Sequence, residues 1–342
     1  MKYPTISVII PTFNSNATIE RCLSSVRSQD YPQEKIEIII VDGGSIDDTK
    51  KIVSKFGVNW FLADPKKQST EFNKITGINK SKGELLFMLD HDNILQNKDI
   101  LKKMIQPFLE HKEMVGVETL RYHYDPKTTL LDRYVALFGV TDPLAFYLGK
   151  ADRMSFIYDG FDKKYNLNDY DGYFLVKFTK DNIPTIGANG FLIRKNTLLK
   201  HADVRPDHYF HIDVNVDLIK KGFNTYAFTK DSITHLAGHG SVGYYLVRRM
   251  KFVKQYYLVE GKKSLKHLRR YSLYEGKDFW RLFYFIVIGL TFIVPFIDSI
   301  RGYRKIHDTA WFVHPILCFS FVVIYGYVVV ENQVKLLLRK FV

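Results

Sequence analysis

Three short runs of β-branched and aliphatic residues constrain this chain most: Ile6–Ile10, Ile36–Val41 and Leu85–Leu89. Each is nearly continuous in apolar residues, as expected of strands buried on both faces. Helical spacing separates them. Asn16–Ser28 puts Ile19, Leu23 and Val26 on one face, Asp47–Phe56 reads as a second helix, and Trp60–Leu62 as a further short strand. This β-α-β-α rhythm predicts an α/β sandwich with a mostly parallel sheet. Ligands in such sheets bind outside the carboxyl ends of the strands. The polar clusters Thr12–Asn14, Asp42–Ser45 and Asp90–Asn93 all fall at such ends.

Residues 121–185, rich in Tyr, Asp and Gly, are less regular and read as loops and helices. Pattern returns over 186–230 with a Gly-rich strand entry (IGANGFLI), a helix near Asn196–His201, and a helix across Val214–Lys221 ended by Gly222. Only two cysteines, Cys22 and Cys318, occur in 342 residues. They form no disulfide framework and no zinc site, so a reducing compartment is the default. The apolar run at the N-terminus is too short for a signal-peptide core and Pro11 stops it, so no secretory targeting is expected.

After Gly243 the character of the chain changes. From Tyr244 to Arg281 there are eleven Lys/Arg against three acids, which accounts for most of the net charge of +13. A basic block attracts either nucleic acid or an anionic membrane surface. Two long apolar stretches follow it, Leu282–Ile297 and Ala310–Val330, and these favour the membrane. The second has the roughly 17–25 residues of a spanning helix and the first is borderline. Trp280, Tyr284, Trp311, Tyr325 and Tyr327 lie near the ends, where interfacial aromatics belong. The expectation is a two-helix membrane hairpin over 279–330, the alternative a re-entrant or interface-lying pair, because Pro295 and Pro315 interrupt the stretches. Residues 244–278 read as a basic amphipathic segment with Leu246, Met250, Val253 and Tyr257 on one face, or as an ordinary helix packed on the preceding domain. Residues 331–342 form a basic tail.

The strand ends carry the chemistry. A carboxyl edge presenting Asp42, Asp90 and Asp92 beside the Gly43-Gly44-Ser45 turn can hold a nucleotide and a divalent cation. Asp42 can accept from a base N–H. The Asp90-His91-Asp92 triplet suits Mg2+ or Mn2+ bridging a diphosphate, where the ion neutralises a departing nucleoside diphosphate.

Here the chain resembles a known family. ISVIIPTFN, IIIVDGGSIDDT and GELLFMLDHDN, in this order, are similar to the motifs of family 2 inverting glycosyltransferases. The resemblance implies a GT-A, nucleotide-diphospho-sugar transferase-like sandwich over 1–243, with a nucleotide-binding half (1–120) and an acceptor-side half (121–243). It implies that Pro11, Thr12, Asn14, Gly44 and Ser45 line the nucleotide pocket, that Asp42 contacts the base, that Asp90 lies near ribose or phosphate, and that Asp92 is the main metal ligand. Gly43 and Ile75 depart from the usual pattern and leave the donor open. GANGFLIRKN matches the Gly-rich acceptor-side strand, with Gly187, Asn189 and Gly190. The acid that usually precedes the next Asp is missing from FHIDVNVDLIKKGF. Asp213 is the best match to the catalytic base and Asp217 the runner-up; the competing role for Asp213 is the N-cap of the Val214–Lys221 helix. His239, or alternatively His235, is the candidate contact to metal or diphosphate. His91 is expected to point away.

The implied partners are a nucleotide-diphosphate sugar, a lipid-linked or membrane-proximal acceptor, and an anionic inner leaflet, with the catalytic domain cytoplasmic and no nucleic acid involved. A polyprenyl-phosphate sugar synthase is the alternative. A nucleotidyltransferase would carry a basic Gly-rich loop at its first strand, which PTFNSN is not. A non-catalytic membrane scaffold would be expected to lose the acids Asp90 and Asp92.

Overall fold

The computed structural model describes residues 3–64, 69–158, 165, 167–183, 185–205, 209–236, 241–255, 271 and 278–338. The strands are β1 (Ile6–Thr12), β2 (Ile36–Asp42), β3 (Asn59–Leu62), β4 (Leu85–Met88), β5 (Asn93–Leu95), β6 (Gly116–Tyr122), β7 (Leu167–Tyr170), β8 (Tyr173–Lys177), β9 (Phe191–Arg194) and β10 (Thr225–His235). They form one sheet in the order β3-β2-β1-β4-β9-β6-β10-β8-β7, with β5 also on β10. The sheet is mixed. Its first half, β3-β2-β1-β4, is all parallel, and β9 runs antiparallel to both of its neighbours.

The chain falls into two compact units, residues 1–123 with 160–236, and residues 124–159 with 237–342. In the first, the helices are α1 (Ile19–Arg27), α2 (Thr49–Val53), α3 (Thr70–Lys80), α4 (Ile100–Glu110), and, later in the chain, α7 (Lys195–His201) and α8 (His211–Lys220). Every residue of β1 is buried, and α1 buries Ile19, Leu23 and Val26 as its spacing predicts, with Cys22 buried beside them. Strands β2 and β4 flank β1, so the connection leaves it in opposite directions. That reversal opens a crevice at the carboxyl edge. Gly77 seats α3 directly on β1, since a Cβ there would lie 2.4 Å from Ile9 Cγ2.

The second unit contains α5 (Leu130–Phe138), α6 (Pro143–Tyr147), α9 (Val242–Val253), α10 (Phe279–Thr291), α11 (Ile293–Lys305) and α12 (His314–Leu338). Residues 124–159 therefore pack with the C-terminal helices, although they read in sequence as part of the acceptor-side half. The reason is the apolar face of α5: Phe138 lies 4.8 Å from the Trp311 ring and 3.9 Å from His314. Tyr134 and Tyr147 hydrogen-bond the two ring nitrogens of His314, each at 3.0 Å.

The first apolar stretch is not one helix. Phe292 adopts φ +62 and bends α10 against α11 by 81°. The second stretch forms one helix long and apolar enough to cross a membrane, Thr309–Lys335. Helix runs on to Leu338, through most of the expected tail, and residues 339–342 lie outside the described residues. Neither proline breaks a helix. Pro295 and Pro315 occupy the first turns of α11 and α12, where an N–H has no intrahelical acceptor. In α9 the inward face is Tyr245, Arg249 and Val253, with Arg249 turned onto Asp142 and Tyr325; Tyr257 and most of the basic segment lie outside the described residues.

Candidate active site

Register brings the first two motifs together. Thr12 pairs with Asp42 at the ends of β1 and β2, and Thr12 Oγ1 donates to Asp42 Oδ1 at 2.9 Å. The same carboxylate accepts from Gly44 N (2.9 Å), Ser45 N (2.7 Å) and Ser45 Oγ (2.6 Å). Asp42 is buried and spends both oxygens on this turn. In this arrangement it organises the Gly43-Gly44-Ser45 backbone; the base contact implied by the resemblance would require one of these bonds to be exchanged. Asn14, at φ +49, zips the two loops: its N–H donates to Ser45 Oγ at 2.8 Å and its Oδ1 accepts from Ile46 N at 3.0 Å. Asn14 is exposed, Gly44 and Ser45 are half-buried, and Pro11 lies buried inside β1.

The third motif is a tight turn beside them. Asn93 Oδ1 accepts from Asp90 N at 3.1 Å, and Asn93 N donates to Asp90 O at 2.9 Å. His91 turns away to Thr18 Oγ1, 2.8 Å from its Nδ1. Because β5 pairs with β10, His235 arrives opposite Asn93, and its Nε2 sits 3.6 Å from Asp92 Oδ2. Leu236 N donates to Asp92 O at 2.9 Å. His239 lies outside the described residues.

This donor set fits a hard divalent cation. Asp92 would hold such an ion through a carboxylate oxygen and His235 through a ring nitrogen, 3.6 Å from that carboxylate. Among the described residues no group of three or more His, Cys, Asp or Glu gathers at one point. Diphosphate and water oxygens would complete the shell, as they commonly do for Mg2+.

A buried charge chain runs behind Asp90. Lys74 of α3 is 1% exposed, and its Nζ lies 3.1 Å from Asp90 Oδ1. Burial alone would push this ammonium down, but Asp90 and Glu71 outweigh it and hold its pKa above the ordinary lysine value. Glu71, one turn earlier, accepts from His211 N at 3.1 Å and pairs with His211 Nδ1 at 2.9 Å. Burial would raise Glu71, yet His211 and Lys74 prevail and lower it. His211 opens α8.

That start is three residues earlier than the sequence predicts, so Asp213 stands within the first turn and is not the N-cap, which is Phe210. Asp213 is fully buried. Asp217, one turn on, accepts from Asp203 N at 2.9 Å and so ties down the preceding loop. The Gly187–Gly190 segment is a turn rather than a strand, and β9 begins only at Phe191. Gly187 has φ +111 and a Cβ there would meet Asn215 Nδ2 at 2.6 Å, so the close approach to α8 requires glycine. Its N–H donates to buried Glu118 at 3.0 Å. Asn189 Nδ2 donates to Tyr122 OH at 3.1 Å, and the Tyr122 ring lies 5.3 Å from His235. Gly190 N donates to Met88 O at 2.8 Å, just before the Asp90 turn.

Sequence reasoning missed Glu71, Lys74, His211 and Tyr122. A signal existed: in TEFNKITGINK, Glu71, Lys74, Ile75 and Ile78 share one helical face, so two opposite charges sit on the apolar stripe.

Residues 7–177, half of the chain, match the family model for Glycosyl transferase family 2. The chain belongs to this family. As a family 2 chain it is 25% identical over 357 residues to the dolichyl N-acetyl-alpha-D-glucosaminyl phosphate 3-beta-D-2,3-diacetamido-2,3-dideoxy-beta-D-glucuronosyltransferase of Methanococcus voltae, across 96% of this chain and 97% of that protein. It is 36% identical over 97 residues to the GalNAc(5)-diNAcBac-PP-undecaprenol beta-1,3-glucosyltransferase of Campylobacter jejuni subsp. jejuni serotype O:2, across 27% of this chain and only 31% of that protein. Among solved structures, the mannosyltransferase PcManGT from Pyrobaculum calidifontis in complex with GDP-Man and Mn2+ shares the fold, at a TM-score of 0.53 and 14% identity, covering 97% of this chain and 88% of that one.

The lowered Glu71 pKa makes a stability prediction. A carboxylate whose folded pKa lies below its ordinary 4.5 stabilises fully above that pH and loses its contribution as pH falls through the folded value. Glu71→Gln should therefore cost stability at pH 7, and the gap to wild type should narrow below about pH 4.5. Denaturant melts of the full chain at both pH values test this, and a gap independent of pH would contradict it.

Proposed function

We propose that the family 2 chain is a metal-dependent inverting glycosyltransferase that moves a sugar from a nucleotide-diphosphate donor to a lipid-linked acceptor. The observation that carries this reading is the meeting of Asp92 with His235 at the carboxyl edge, in the same turn as Asp90, with the Gly43-Gly44-Ser45 backbone organised by Asp42. The crevice receives the nucleotide along Thr12, Asn14, Gly44 and Ser45. Asp92 and His235 would hold the cation, with Asp90 toward ribose or phosphate. When bound, Mg2+ or Mn2+ supplies positive charge to the leaving nucleoside diphosphate. Asp213 takes the proton of the acceptor hydroxyl while that oxygen bonds the anomeric carbon and the bond to diphosphate breaks on the opposite face. Being buried, Asp213 meets the acceptor only once the side chains over it move aside.

The acceptor class rests on the names of the two relatives, both of which carry a polyprenyl-linked sugar. A bare lipid phosphate is less well supported by them. The second unit offers an apolar surface suited to lipid: Trp280, Phe283, Leu290, Ile293, Phe296 and Val323 are all exposed. At 13 residues, about 20 Å, α10 is too short to cross a hydrocarbon core of about 30 Å. With α10 this short and bent by 81° against α11, we infer that the two helices dip into the membrane and return. The basic residues of 244–281 favour the cytoplasmic face for the catalytic unit.

Asp92→Ala should abolish Mn2+-dependent donor hydrolysis and transfer while the melting profile stays unchanged; full activity would remove Asp92 from the metal site. Asp213→Asn should lower turnover by ~10²-fold or more with donor affinity little altered. Asp217→Asn should instead lower stability, and a crippled kcat in that variant alone would transfer the role of base to it. A cysteine placed at Arg304 should react with a membrane-impermeant label from the cytoplasmic side. Labelling only from the opposite side would restore the spanning hairpin.

A further inference from the structure

We propose that Lys74 and Glu71 are positioning residues that register the donor-side carboxylate Asp90 against the helix carrying Asp213, an inference that rests on the glycosyltransferase reading above. The two sit three residues apart on one face of α3, and both are buried. Lysine is almost never fully buried unless paired. Here the pairing is specific, with Nζ 3.1 Å from Asp90 Oδ1. An apolar residue would seat α3 equally well, as Ile75 and Ile78 do beside it, so the charge has work beyond packing. Lys74 holds Asp90 Oδ1 at 3.1 Å, while Asp92, two residues on, stands against His235.

Glu71 performs the second half of the coupling. The N-cap of α8, Phe210, offers no side-chain acceptor to the first turn. Glu71 supplies one from a separate helix, accepting from the His211 backbone at 3.1 Å and gripping its ring at 2.9 Å. Asp213 follows two residues later. One short helix thus touches both the donor-side acid and the start of the acceptor-side helix, and Gly77 locks that helix to β1. Any shift of α3 would move the two ends of the reaction together.

The test is a pair of double-mutant cycles on the full chain. Binding of UDP or GDP, whichever the wild type retains with Mn2+, is measured by calorimetry, and transfer kinetics give KM and kcat separately. Lys74→Met should weaken nucleotide binding by about tenfold and add nothing to Asp90→Asn. Glu71→Gln should lower kcat with nucleotide affinity unchanged, and add little to Asp213→Asn. Additive losses in both cycles, or none, would overturn the proposal, because a residue that only supports the fold does not couple selectively. Should Lys74→Met fail to fold, Lys74→Arg keeps the charge and displaces Asp90; unaltered nucleotide affinity there would equally overturn it. If Asp90→Asn and Asp213→Asn are themselves without effect, the glycosyltransferase reading fails first.

Discussion

In-register parallel pairing of β1 with β2 and β4 is the constraint on which the site depends. It sets Thr12 beside Asp42 and Ile9 beside Met88, so three loops leave the sheet at one level. Side chains alternate along a strand, and a slip of one residue in β2 would turn Asp42 to the opposite face and unhook the Gly44–Ser45 turn from it. Glu37 opposes the slip, because its carboxylate accepts from Ser7 Oγ at 2.6 Å, directly across the β1–β2 pair.

This half of the molecule was legible in the sequence for a physical reason. A strand buried on both faces must be nearly continuously apolar, and the polar cluster at its end marks where the chain leaves the core. Asp90, Asp92 and the Asp42 turn stand where that logic puts them. The role of Asp42 was less legible: hydrogen bonds to backbone N–H groups leave no trace in residue identity. Lys74 and Glu71 were hidden by their setting, since a charge on a helix reads as solvated unless its face is examined. The early start of α8 was hidden too, because its cap comes from Glu71, 140 residues away.

The second unit shows how composition misleads. Pro295 and Pro315 look like interruptions within apolar stretches, yet each begins a helix, and the true break is at Phe292, whose side chain gives no warning of a left-handed backbone. The attachment of residues 124–159 to the C-terminal helices was equally invisible. Besides the apolar face of α5, it includes a buried polar cluster in which His314 joins Tyr134 and Tyr147, and Tyr147 also donates to Asp298 at 3.0 Å. Directional bonds of this kind fix which helix faces meet, where apolar contact alone would leave several arrangements of similar energy.

Strand order has a consequence for biosynthesis. β9 lies between β4 and β6, although both precede it in the chain by about seventy residues or more. Until residue 194 leaves the ribosome, β4 and β6 each present an unpaired edge in the interior of the future sheet, and β4 is wholly apolar. Such edges recruit strands from other chains as readily as their own. β9 is only four residues long, so the keystone of the sheet arrives late and is held by few bonds, and the nascent chain is most prone to misassembly in the interval before it docks.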